Sequence, residues 1–120
     1  MKRTKIYTKS TLESSVVFDI CQWLEKCGYF FSRINNIPPP GRHGGFRAQP
    51  RFVKPGLPDI IVLVAGKFVC FEAKRPIGNY GQTTKQAIFE QECRKNGGFY
   101  YVVRSVDEVK IALDISNTRC

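Results

Sequence analysis

The chain has 120 residues, enough for one domain and one core but not two. Its 19 Lys and Arg against 10 Asp and Glu give a formal charge of +9, which points to a polyanionic partner and says nothing of catalysis. No apolar run approaches bilayer-spanning length, and the basic start, Met1 to Lys9, lacks the apolar stretch of a signal peptide, so a cytosolic protein without a membrane partner is expected.

Residues Thr11 to Cys27 carry Val16, Val17, Ile20, Leu24 and Cys27 at helical spacing, and Gly28 supplies a stop, so the first element is a helix. Tyr29 to Ile34 reads as a short strand. A loop from Asn35 to Leu57 follows, marked by Pro38-Pro39-Pro40, Gly41, Gly44-Gly45, Pro50 and Pro55. Loops this long in compact domains are usually functional or disordered. Its charges, Arg42, Arg47, Arg51 and Lys54, are all positive, and Phe46 and Phe52 are interleaved with them. Such a segment suits a phosphate backbone with occasional contact to bases or sugars, although a solvated loop has the same composition. The only histidine, His43, falls here as a loop or nucleic-acid-facing residue, which counts against mechanisms built on His pairs.

The runs Ile60 to Ala65 and Lys67 to Phe71 are β-branched and aromatic and meet at Ala65-Gly66, the pattern of a β-hairpin. Gly78, Asn79 and Gly81 form a turn before a helix from Thr84 to Asn96, which Gly97-Gly98 ends. Phe99 to Val103 is an apolar strand, expected to run parallel to its neighbour because a helix leads into it. Ser105 opens a last helix carrying Val106, Val109 and Leu113. The whole reads as an α/β unit: a basic arm over 1–10, one domain over 11–114 and a tail over 115–120. Cys21, Cys27, Cys70, Cys93 and Cys120 form an odd set without a CxxC pair, which counts against a zinc site or a disulfide framework.

Chemistry concentrates between Gly56 and Lys74. With Ala65-Gly66 as the turn, Val64 pairs with Lys67 and Asp59 falls opposite Glu72. Directly opposed residues have Cβ atoms roughly 4.5–5.5 Å apart, close enough for two carboxylates to share one ion. Lys74, two residues beyond Glu72, turns to the same face. Two such carboxylates repel unless a cation sits between them, and an oxygen-only set suits Mg²⁺ or Mn²⁺. In a phosphodiester hydrolase such an ion polarises the scissile phosphate and lowers the pKa of the attacking water, and a neighbouring ammonium can stabilise the extra charge of the transition state. The plainer alternative is a surface hairpin bearing a solvated Glu72–Lys74 pair. Glu13 extends the face of Val17, Ile20 and Leu24 and can reach the same place, but Ser10-Thr11-Leu12-Glu13 also matches a capping box. Gln86 carries the same ambiguity within Thr83-Thr84-Lys85-Gln86, and Ser105 to Glu108 repeats the pattern.

Pro58-Asp59 and Glu72-Ala73-Lys74 resemble the PD-(D/E)xK nuclease signature. Gly56 to Asp59, the Gly66 turn, Phe71 to Lys74, Thr83 to Gln86 and Tyr101 to Ser105 resemble its VRR-NUC (virus-type replication-repair nuclease) branch, as a stand-alone member of phage or bacterial type. The resemblance implies a restriction-endonuclease-like core with a mixed sheet flanked by helices. It implies a DNA endonuclease using Mg²⁺ or Mn²⁺, with Asp59, Glu72 and the backbone carbonyl of Ala73 on the ion. Lys74 then acts on the attacking water or the pentavalent phosphate, and Gln86 and Glu13 complete the shell. Arg42, His43, Arg47, Arg51 and Lys54 are the candidate DNA contacts. Similarity to small junction resolvases implies a homodimer that cuts branched DNA, four-way (Holliday) junctions above all, since one core holds one site and symmetric cutting needs two. A non-catalytic DNA-binding module on this fold, or a flap or restriction-type nuclease, is the alternative.

Overall fold

A computed structural model describes residues 6–34 and 51–116. Arg42, His43, Arg47, most of the 35–57 loop and the end of the tail lie outside the described residues. The elements run α1 (Glu13–Lys26), β1 (Phe30–Arg33), β2 (Ile60–Val64), β3 (Lys67–Ala73), α2 (Thr84–Lys95), β4 (Phe99–Val103) and α3 (Val106–Ser116). The last helix thus runs into residues the sequence assigned to the tail.

Among the described residues four strands form one sheet in the order β1-β2-β3-β4, antiparallel except for the β3–β4 pair, which is parallel as expected. Ala65 and Gly66 both have positive φ, 50° and 79°, the backbone that lets a two-residue turn follow the twist of its strands. Val64 pairs with Lys67 and Ile60 with Phe71, so Asp59 and Glu72 come next at the open end of the hairpin. Strand β3 continues two residues past its expected end because β4 supports it from the other side, pairing Glu72 with Val102 and Ala73 with Val103. Both ends of the Glu-Ala-Lys segment are therefore held by a ladder, with Lys74 N–H donating to Val103 O at 2.9 Å.

Alternation along the strands divides the sheet into two faces. Ile60, Val62, Val64, Val69, Phe71, Ala73 and Val103 pack against Val16, Val17, Ile20 and Leu24 of α1 and Val109, Ala112 and Leu113 of α3. The opposite face carries Cys70, Glu72 and Tyr100. There α2 gives a thin cover with no fully buried residue of its own, touching the sheet through Phe89 on Tyr100 (ring centroids 6.1 Å apart) and Cys93 beside Cys70 (Sγ to Sγ 4.0 Å). The residues of this face, Cys70, Glu72, Lys74 and Tyr100, are nonetheless buried.

The helix ends follow from local chemistry. Gly28 has φ 77°, its N–H donates to Glu25 O, and Tyr29 N–H reaches Leu24 O, which closes α1. Gly97 and Gly98 close α2 in the same way on Arg94 O and Cys93 O. The capping box offered by Ser10 and Glu13 does not form. Thr8 and Thr11 close a turn on each other, Leu12 takes the N-cap position without a side-chain bond, and Glu13 becomes the first helical residue. Cys21, Cys70 and Cys93 are free thiols.

Candidate active site

Three elements bring carboxylates together at the open end of the hairpin. Glu13 comes from the first turn of α1, Asp59 from the residue before β2 and Glu72 from the penultimate position of β3. One ligand oxygen from each lies within 4.8 Å of the others. Asp59 is pinned by its surroundings: its N–H donates to Phe71 O at 3.1 Å, its carbonyl accepts from Ile34 N–H at 2.7 Å, and its Oδ2 accepts from Ala73 N–H at 2.8 Å. The same contact fixes Ala73 beside the cluster.

Glu72 and Lys74 are 1% and 6% exposed, which rules out the solvated pair that the sequence left open. Gln86, in the first turn of α2, joins them. Its Nε2 donates to Glu72 Oε1 at 2.6 Å, and its Oε1 accepts from Lys74 Nζ at 3.0 Å. Lys74 Nζ stands 3.7 Å from Glu72 Oε1. The capping box also forms: Gln86 Oε1 accepts from Thr83 N–H at 3.0 Å, and Thr83 Oγ1 accepts from Gln86 N–H at 3.2 Å. The two readings of Gln86 are therefore one arrangement. The cap holds the amide so that its oxygen meets an ammonium and its nitrogen meets a carboxylate, and the reverse orientation would set like against like.

Gly56 belongs to the same arrangement. It has φ +74°, and a methyl placed on it would overlap the Lys85 carbonyl and come to 2.8 Å from the Gln86 amide nitrogen. The Gly-Leu-Pro-Asp entry can thus lie directly against the first turn of α2. Gly56→Ala is expected to destabilise the protein by about 1–3 kcal/mol, through a strained φ and overpacking together, measured by denaturant unfolding. Wild-type stability in that variant would contradict the close approach.

The electrostatics favour a cation. Burial, and then the neighbouring Asp59, push Glu72 up to about 8. Burial also raises Asp59, opposed mainly by the Ala73 N–H, and burial followed by the Asp59 charge raises Glu13. Glu72 Oε2 is buried and has no hydrogen-bond partner among the described residues. An orphaned buried oxygen beside two further carboxylates, all hard donors, fits a divalent metal ion, and this acidic group can hold one.

The predicted DNA-contact residues that are described lie elsewhere. Arg51 stacks on the exposed ring of Phe52, 4.7 Å from its centroid. Lys54 pairs with Glu92 at 3.1 Å, on an α2 residue six positions beyond Gln86 and hence about 9 Å along the helix. Both face solvent, but neither touches the acid cluster. The sequence reading gave no role to Arg33 or Arg75 and counted Arg104 only within the Tyr101 to Ser105 resemblance. Arg33 pairs with Ile60 at the end of β1, and its charge acts on Asp59. Arg75 acts on Glu13, and Arg104 binds the loop after Lys74. The early sign of Arg33 and Arg75 was their position next to a strand end or a site residue.

No protein-family model and no curated protein matches the sequence. Among solved structures the fold is similar to that of a VRR_NUC domain, at 20% sequence identity and a TM-score of 0.59, over 91% of this chain and 100% of that one. No helix among the described residues is long and apolar enough to cross a membrane. Among the described residues a mixed four-stranded sheet is flanked by three helices, and this chain has the fold of a VRR_NUC domain.

Proposed function

We propose that this chain is a VRR-NUC-type, metal-dependent endonuclease that hydrolyses DNA phosphodiester bonds, preferring branched DNA such as four-way junctions and acting as a homodimer. The observation that carries this reading is the meeting of Glu13, Asp59 and Glu72 beside the buried Glu72–Gln86–Lys74 chain, on the fold of a VRR_NUC domain. Asp59, Glu72 and the Ala73 carbonyl would hold Mg²⁺ or Mn²⁺, with Glu13 as a further ligand. When bound, such an ion polarises the scissile phosphate and lowers the pKa of a water nucleophile.

The protein's own groups do the rest. Gln86 holds the Lys74 ammonium 3.0 Å from its oxygen, so this charge is oriented before substrate arrives. Such a preorganised donor stabilises the charge that develops on the phosphate or directs the attacking water. Burial of Glu72 and Lys74 keeps bulk water from screening them. Arg51 and Lys54, with Arg42, His43 and Arg47, would supply backbone contacts away from the acid cluster. The exposed Lys54–Glu92 pair is weak enough to exchange for a phosphate.

The test is cleavage of matched linear, flap and four-way DNA at fixed salt, with Mg²⁺, with Mn²⁺ and with chelator, alongside light scattering. Cleavage only with a divalent ion, fastest on the junction and by a particle of twice the chain mass, is expected. Binding without cleavage under either ion would leave a non-catalytic DNA-binding module. Equal rates on linear duplex by a monomer would remove the branch preference and the dimer.

A further inference from the structure

We infer that Arg75 is a phosphate-contacting residue of this site, locked in position by Tyr80 and Arg104; the inference rests on the DNA-processing reading above. Lys74 ends the ladder between β3 and β4, and the chain then turns away through residues 75–82 to reach α2. Arg104, the residue after β4, reaches back over this turn. Its Nη1 donates to Arg75 O at 2.6 Å and its Nη2 donates to Tyr80 O, so one guanidinium fork ties both ends of the turn. Tyr80 in turn holds the Arg75 side chain. Its hydroxyl accepts from Arg75 Nη1 at 3.0 Å, and the guanidinium carbon lies 5.1 Å from its ring centroid. Gly78, with φ +123°, leaves the space beside its Cα to the Tyr80 ring, where a Cβ would collide.

The result is a cation that is ordered but not neutralised. Among the described residues no carboxylate pairs with Arg75, whereas Lys54, Lys74, Arg94 and Lys110 each have one within 4.0 Å. Only one of the five guanidinium donors is spent on Tyr80, leaving the others for an anion. Arg75 follows Lys74 directly and stands near enough for its charge to act on Glu13. Three carboxylates gathered in one place repel a DNA backbone, and a fixed arginine at their edge offsets that repulsion where the strand must approach. A planar guanidinium matches phosphate oxygens in pairs, and holding it in advance removes the cost of ordering it on binding. Tyr80 and Arg104 are positioning residues, since each acts through Arg75.

Binding of a fluorescein-labelled DNA duplex, measured by anisotropy in chelator over a range of salt, tests this, with cleavage of the same DNA in Mg²⁺ read in parallel. Arg75→Gln is expected to weaken binding roughly tenfold and to reduce the salt slope by about one contact. Arg75→Lys should keep the slope and recover part of the affinity. Arg104→Gln should weaken binding in the wild-type background but change little once Arg75 is Gln, because it acts only through that residue. Equal affinity and slope for wild type and Arg75→Gln, or fully additive effects of the two Gln variants, would overturn the inference. A protein that shows the predicted slope change but never cleaves would retain this contact and refute the nuclease reading instead.

Discussion

Glu72→Gln is expected to raise the melting temperature of the metal-free protein while abolishing DNA cleavage. Glu72 is 1% exposed, pushed up to about 8, and has one oxygen without a partner among the described residues. Burying a carboxylate costs several kcal/mol unless it is fully paired, and Lys74 at 3.7 Å from Oε1 is an incomplete partner. A glutamine keeps the shape and an oxygen for Gln86 Nε2, but removes the charge that burial and Asp59 oppose. Relief of about 1 kcal/mol corresponds to roughly 4 °C in a domain of this size. The gain should be largest near pH 8 and vanish near pH 4, below the unfolded value of 4.5, where the carboxyl is neutral in both states. Thermal unfolding in chelator at both pH values measures it. A melting temperature below wild type near pH 8 would mean that the Glu72–Lys74 contact outweighs the cost of burying the charge.

A second expected result concerns pH and metal together. The Glu72 carboxyl titrates near 4.5 in the unfolded chain and at about 8 in the fold, and Asp59 and Glu13 are shifted in the same direction. Between those limits the folded state holds protons that the unfolded chain has released, so stability is full below the unfolded pKa and is lost as pH rises through the folded one. The metal-free melting temperature should therefore fall from about pH 5 to about pH 8. A divalent ion replaces those protons and binds only the folded state, so saturating Mg²⁺ should raise the melting temperature more near pH 8 than near pH 6. Differential scanning fluorimetry with and without chelator gives both curves. A metal-free curve that rises with pH, or an Mg²⁺ effect independent of pH, would contradict raised carboxyl pKa values at the cluster.

The hairpin was legible because a two-residue turn fixes register: once Ala65-Gly66 is the loop, Asp59, Glu72 and Lys74 must share one end. The parallel β4 was legible for a similar reason, since a helix must carry the chain across the sheet. Glu13 was not decidable from its own segment. Ser10-x-x-Glu13 satisfies a local rule, and only the choice of Leu12 as N-cap sends that carboxylate toward Asp59. Gln86 looked like a choice between cap and site because sequence patterns treat side-chain roles as exclusive, whereas an amide has an oxygen that accepts twice and a nitrogen that donates elsewhere. The Arg104 latch joins residues 24 and 29 positions apart through backbone carbonyls, which leave no mark on residue type. Lys54 was grouped by charge with the loop arginines, but three-dimensional placement sets it against Glu92.

The most direct measurement is Mn²⁺-dependent cleavage of labelled four-way DNA by wild type and Asp59→Asn under single-turnover conditions, after unfolding curves show both to be folded. Asparagine keeps a side-chain oxygen for the Ala73 N–H now 2.8 Å from Asp59 Oδ2, so the hairpin end is retained while a ligand charge is lost. Wild type should cut, and the variant should be slower by roughly a hundredfold or more. Equal rates for the two proteins would contradict a metal site built on Asp59 and Glu72.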